Sequence, residues 1–209
     1  RFFDEAMNVE AVEHLFIRNS LQRAQGHDEF VLHYQPKMDL VSGAVTGAEA
    51  LIRWNHPELG LVQPKRFISV AEECGLIVPM GEWVLGKACR QAMVWNSQRG
   101  TPLSIAINLS AVQFKRGDIE KSVRQALASS GLDPTLLELE LTESILIQNV
   151  ESVLASVKRL KALGVKLSID DFGTGYSSLS YLKRFDIDKL KIDQSFVRDL
   201  ATDPDDAAI

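Results

Sequence analysis

From Pro102 onward the chain repeats one pattern: an apolar, strand-like run closing on a polar residue, followed by a stretch at helical spacing. The runs are PLSIAINLS (Pro102–Ser110), TLLELELTE (Thr135–Glu143), GVKLSIDD (Gly164–Asp171) and FDIDKLKID (Phe185–Asp193). Helical patterns lie between them at about Asp118–Ser130, Val150–Leu163 and, more briefly, Ser178–Lys183. Repeated βα units of this length demand a mostly parallel sheet with helices packed outside it. Upstream, FVLHYQP (Phe30–Pro36) and AVTGAEALIRW (Ala44–Trp54) also read as strands, but KMDLVSG between them is too short for a parallel crossover, so that pair is expected to be antiparallel. Helices are expected from Asn8, as N-cap, to Gln25, from Pro64 to near Gly75, and from Gly81 to Arg99. Six strands are legible, two short of a closed eight-stranded barrel.

Composition bounds what such a sheet can serve. With 209 residues, 45% of them hydrophobic, the chain can bury one sizeable core. Its formal charge of -5 and dispersed basic residues argue against a broad nucleic-acid or membrane-binding footprint. Cys74 and Cys89 each sit inside an apolar helical pattern, as reduced thiols of a cytoplasmic protein do. No apolar run approaches the ~18 residues that span a bilayer, and no signal-peptide pattern opens the chain. A start at Arg1 suggests a piece of something longer.

Period 2 sorts each strand into an outward apolar set and an inward small or polar set. Ile105 and Ile107 alternate with Ala106 and Asn108; Leu137, Leu139 and Leu141 with Glu138 and Glu140; Leu167 and Ile169 with Ser168 and Asp170. Asn108, Glu140, Asp170 and Lys191 fall near the C-terminal ends of their strands, the rim on which α/β barrels build chemistry. Any one such carboxylate is more often a cap or a solvated loop residue. Glu49, Asn108, Glu140, Asp170 and Asp171, however, converge from four strands, and that many acids without a cation repel one another and hold raised pKa values. A hard divalent cation removes the repulsion, and all-oxygen donors favour Mg²⁺ or Mn²⁺ over zinc. An oxygen cage for a structural Ca²⁺ is the plainer alternative. Lys191 is suited to orienting a water or neutralising developing charge, or simply to pairing with the acids. His14, His27, His33 and His56 share no metal-ligand spacing and read as structural or surface residues.

The motifs YQP (Tyr34–Pro36), EALIRW from Glu49, NLS (Asn108–Ser110), ELTES (Glu140–Ser144), DDFGTGYSSL (Asp170–Leu179) and KIDQSF (Lys191–Phe196) follow one another in order. In this the sequence resembles the EAL domain family, bacterial phosphodiesterases that linearise cyclic di-GMP to pGpG. The resemblance implies two ions, Mg²⁺ or Mn²⁺: Glu49, Asn108, Glu140 and Asp170 ligate one, and Asp170 and Asp171 help to hold the second. It makes Glu49, Lys191, Asp170 and Asp171 the catalytic group, with Lys191 orienting the attacking water. Gln35 and Arg53 contact the dinucleotide, the planar guanidinium suiting a phosphate. Glu143 anchors the loop bearing Gly173 and Gly175, which couples metal binding to a homodimer interface. Those glycines are not a P-loop, since no Gly-Lys-Ser/Thr follows them. Ca²⁺, with its longer and looser coordination, is expected to inhibit.

The resemblance also divides the chain. Residues 1–28 are similar to the linker helix that follows an upstream GGDEF or sensory domain, and residues 29–209 make up the EAL phosphodiesterase domain. The family pattern continues past KIDQSF with a helix and two strands, the first carrying an EGVE motif whose glutamate also serves the metal centre; the sequence reaches Ile209 before it. The expected fold is therefore α/β, a TIM-like (β/α) barrel with one antiparallel strand, truncated before its last strands, in a bacterial cytoplasm or in a membrane-attached parent. A catalytically inactive cyclic di-GMP receptor is the leading alternative, against which the intact catalytic positions count. A barrel aldolase using Lys191 as a Schiff base is a third, disfavoured because the nearby carboxylates keep the amine protonated.

Overall fold

The computed structural model describes residues 5–24, 26–147, 150–173 and 184–199. Helix α1 (Glu5–Ala24) begins ahead of Asn8, which lies inside it rather than at its cap. Glu5 and Ala6 are better helix formers than asparagine, so the helix runs through. Ile17, Leu21 and Ala24 then bury against Trp54, Phe67 and Ala71 in a small core.

Strands β1 (Phe30–Met38) and β2 (Val45–His56) pair antiparallel, Phe30 opposite Trp54 and Gln35 opposite Glu49. The Asp39 carboxylate accepts from the Ser42 N–H at 2.7 Å and ties the turn between them. Strand β3 (Gly60–Val62) adds to the far end of β2, giving seven strands in the sheet rather than six. A three-residue strand carries too little periodicity to be read from sequence. The expected single helix from Pro64 is instead a 3-10 turn (Pro64–Arg66) followed by α2 (Ile68–Glu73). Helix α3 (Ile77–Asn96) starts ahead of Gly81, because Pro79 falls in its first turn, where a missing N–H leaves no bond unmade.

Strands β4 (Ser104–Leu109), β5 (Leu137–Thr142), β6 (Lys166–Phe172) and β7 (Lys189–Ile192) are parallel, in the order β1-β2-β4-β5-β6-β7. Between them run α4 (Ala111–Arg116), α5 (Ile119–Ser130), α6 (Glu143–Ile147) and α7 (Val150–Ala162), and α8 (Gln194–Asp199) follows β7. Asp118 caps α5 by accepting from the Lys121 N–H, and Gly131, at φ 74, ends it. The helix expected around Ser178–Lys183 lies outside the described residues, as does Gly175.

The strands present their apolar residues to the helices as period 2 requires. Ile105, Ile107, Leu137, Leu139, Leu141, Leu167 and Ile169 are each at most 1% exposed and pack with Leu85, Ala88, Val123, Val157 and Leu160 of α3, α5 and α7. Each such burial contributes about 1.5–3 kcal/mol before the entropy of ordering is set against it. Opposite faces of the same strands are left to Asn108, Glu138, Glu140, Ser168 and Asp170. Cys74 is half-buried and Cys89 buried, both as free thiols, and burial pushes the Cys89 thiol up to about 11. Among the described residues no helix is long and apolar enough to cross a membrane.

Candidate metal centre

Register places the rim. Glu49 of β2 lies opposite Ala106 of β4, Asn108 lies opposite Glu140 of β5, and Thr142 lies opposite Asp170 of β6. Glu49, Glu140 and Asp170 each direct a carboxylate oxygen into one cluster, all within 4.8 Å of one another. Asn108 joins it through its Nδ2, which donates to Glu49 Oε1 at 2.7 Å.

Asp170 and Asp171 owe their placement to a break in the ladder. Strands β6 and β7 pair regularly at Ile169 and Leu190 and resume at Phe172 and Ile192, so two aspartates face the one residue Lys191. This is a β-bulge. Asp171 takes φ 53 there, a left-handed backbone that aspartate adopts more readily than most residues. The bulge breaks the alternation that would otherwise send Asp171 to the opposite face. Its carboxyl pKa is raised by burial and by the charges of Asp170 and Asp193.

Lys191 reaches across from β7. Its ammonium lies 2.6 Å from Glu140 Oε2, 3.1 Å from Asp170 Oδ1 and 3.2 Å from Glu49 Oε2. Burial alone would lower the lysine pKa, but Glu140, Glu49 and Asp170 outweigh it and keep the amine protonated. A permanent ammonium cannot act as the amine nucleophile of a Schiff-base enzyme. Glu140 is the most enclosed of the acids, 1% exposed, and burial followed by the Glu49 charge raises its carboxyl above the ordinary range despite Lys191 and Lys37.

The clustered donors are three carboxylates, all oxygen, which fits a hard divalent cation, and the neighbouring Asn108 amide turns its Nδ2 to Glu49. No histidine joins it. His14 pairs with Glu73 at 2.8 Å, and His56 accepts from the backbone N–H groups of Glu58 and Leu59 at 3.0 and 3.1 Å.

The remaining expected site residues stand nearby. Gln35 is exposed on β1 opposite Glu49, and Arg53, four residues beyond Glu49 on the same face of β2, donates to the Ile52 carbonyl at 2.8 Å. A cavity of about 270 Å³, lined by Leu51, Ile52, Pro64, Ile68, Met80 and Asn108, reaches the rim at Asn108 but is not lined by Gln35 or Arg53. A cavity of about 370 Å³, lined in part by Tyr34, Trp95 and Arg99, touches none of the candidate acids. Glu143 opens α6 directly after β5, is 4% exposed, and accepts from the Gly173 N–H at 3.3 Å, with Gly173 at φ 103. The loop beyond Gly173 is outside the described residues.

Some of the charge at this site is not in the expected set. Lys37 of β1 lies 3.0 Å from Glu138 and 3.4 Å from Glu140, and Lys189 lies 2.7 Å from Glu138. Burial pushes Glu138 up, but the two lysines together hold its carboxyl below the usual range. Asp193 bonds to Asp171 and accepts from Ser195. Period 2 carried from Gln35 to Lys37 was the available signal for the first of these; Asp193 lies inside the KIDQSF motif, which gave it no role of its own.

Comparison with known proteins bears on the family and the fold. The EAL domain profile matches residues 18–209. The bifunctional diguanylate cyclase/cyclic di-GMP phosphodiesterase MucR of Pseudomonas aeruginosa is 48% identical over 208 residues, covering 100% of this chain and 30% of that protein. The cyclic di-GMP phosphodiesterase PdeR of Escherichia coli is 44% identical over 202 residues, covering 97% of this chain and 30% of its own length. The chain thus spans about a third of these relatives. Among solved structures, the MucR phosphodiesterase in complex with c-di-GMP superposes with a TM-score of 0.88 at 48% identity, over 92% of this chain and 78% of that one. The EAL enzyme Bd1971, bound to cAMP and cyclic di-GMP, gives 0.88 at 33% identity, over 95% and 55%.

Proposed function

The chain belongs to the EAL domain family, and from that premise we propose that it hydrolyses cyclic di-GMP to linear pGpG as a metal-dependent phosphodiesterase. The observation that carries the reading is the meeting of Glu49, Glu140 and Asp170 around Lys191 at the C-terminal rim. Glu49, Asn108, Glu140, Asp170 and Asp171 are the residues that would hold two Mg²⁺ or Mn²⁺ ions. Such ions supply a water acidic enough to ionise near neutral pH and neutralise charge on the phosphate. Lys191, being an ammonium, donates; it orients the water through a lone pair and does not take its proton. Arg53 and Gln35 hold the dinucleotide, the guanidinium exchanging its bond to the Ile52 carbonyl for a phosphate. The apolar cavity that runs from Leu51, Ile52 and Pro64 to Asn108 excludes water from one side of the bound substrate. Glu143 fixes the start of the Gly173 loop and links the rim to a homodimer contact.

Residues 1–28 serve as the linker from an upstream GGDEF or sensory domain, and residues 29–209 as the phosphodiesterase domain, working in the bacterial cytoplasm. The test is turnover of cyclic di-GMP with Mg²⁺ or Mn²⁺, followed by chromatography. Wild type is expected to yield pGpG and Glu49→Ala none. If wild type binds cyclic di-GMP yet leaves it intact over hours, the protein is a receptor.

A further inference from the structure

Beneath the rim the interior charges form an alternating ladder. Glu138 and Glu140 project from the same face of β5, with side chains 3% and 0% exposed, and their four carboxylate oxygens meet three lysines, Lys37 being shared. Glu138 takes Lys189 on Oε2 and Lys37 on Oε1; Glu140 takes Lys37 on Oε1 and Lys191 on Oε2. Lys37 is thus the rung between the floor pair and the rim, and it comes from β1, the one long strand that runs antiparallel to the rest. Lys191 continues upward to Glu49 and Asp170.

We infer that Lys37 is a positioning residue for the metal centre: it holds Oε1 of Glu140 toward Glu138 and leaves only Oε2 to face Glu49 and Asp170. The inference rests on the metal-dependent reading above. A carboxylate held at one oxygen offers the other as a single, directed donor. Released, it rotates about its terminal torsion, which is broad and weakly restrained, and can present either oxygen or both. Partners that orient a ligating carboxylate typically change metal affinity or activity by about 10–100-fold when removed. The simpler role for Lys37 is neutralisation of Glu138, and a test must keep charge constant to separate the two.

Lys37→Met with Glu138→Gln removes one positive and one negative group and frees Glu140 Oε1. Lys189→Met with Glu138→Gln removes the same charges from the same floor but leaves Lys37 on Glu140. Mn²⁺ affinity by calorimetry, folding by circular dichroism, and kcat and KM for cyclic di-GMP are compared with wild type. The Lys37 variant is expected to bind Mn²⁺ about 10–100-fold more weakly, with kcat reduced and KM within about threefold; the Lys189 variant is expected to stay within about threefold in affinity. Should the first fail to fold, Lys37→Gln with Glu138→Gln, two amides able to bond each other, carries the same expectation. Equal Mn²⁺ affinity in the Lys37 and Lys189 variants overturns the positioning role while leaving the metal-dependent function standing. A wild-type protein that binds no Mn²⁺ overturns both.

Discussion

Replacing Lys191 by methionine exposes what the rim costs without its cation. The ammonium sits 2.6–3.2 Å from Glu140, Asp170 and Glu49. Without it, three carboxylates remain within 4.8 Å of one another. At that spacing each like-charged pair repels by about 3.5 kcal/mol at an effective dielectric of ~20. The protein relieves most of this by taking up a proton, which sets a ceiling. Keeping one carboxyl protonated at pH 7.5, about three units above its ordinary pKa, costs about 4 kcal/mol; at pH 5.5 the same step costs about 1.5 kcal/mol. For a chain of this size that is a melting-temperature loss of roughly 8–16 °C at pH 7.5 and roughly 3–6 °C at pH 5.5. The sign follows from linkage: the variant raises carboxyl pKa values in the folded state, so stability falls as pH rises through them. Thermal unfolding of wild type and Lys191→Met, each in chelator and then with excess Mn²⁺, measures it. Mn²⁺ is expected to restore most of the loss, because a divalent cation replaces the missing charge. The reasoning is refuted if the variant melts with wild type at pH 7.5 in chelator, or if it melts early and no divalent ion helps.

Asp170→Asn is expected to lower Mn²⁺ affinity at least tenfold or so and nearly abolish turnover. Glu143 accepts from the Gly173 N–H, and Glu143→Gln is expected to keep Mn²⁺ binding while lowering kcat; calorimetry showing equal loss in both would make Glu143 a ligand. Because burial first, and neighbouring acids second, raise Glu140 and Asp171, protons compete with a cation at higher pH than ordinary carboxylates allow. Wild-type Mn²⁺ affinity is therefore expected to fall on acidification before the ordinary carboxylate range is reached, and a pH-independent affinity down to that range would contradict it. At Gly81 an added Cβ would lie 1.6 Å from Nε2 of Gln113, a 6% exposed side chain that accepts the Ser110 N–H and closes the capping box of α4. Gly81→Ala is expected to destabilise by about 1–3 kcal/mol in urea unfolding, and a neutral result would mean that Gln113 moves aside freely.

The amino-acid sequence alone determined the parallel βα succession, the antiparallel first pair and the inward set from Asn108 through Asp170, because strand period and connection length are local properties of the chain. It also carried the family motifs, and with them the expected ligands. Local pattern fared worse where helices begin, since Asn8 and Gly81 look like boundaries but Glu5 and the first-turn Pro79 extend α1 and α3 past them. Only the tertiary structure decided what meets in the interior. The bulge that sets Asp170 and Asp171 against Lys191 is eased by aspartate's tolerance of a left-handed backbone, but its position is set by the register of β7 over β6. The bridge from Lys37 to Glu140 joins residues 103 apart, and the reach of Lys191 to Glu49 joins residues 142 apart. A period of two says which face a side chain takes; the curl of the sheet, which brings β1 and β7 over the same glutamate, decides which charges find one another there.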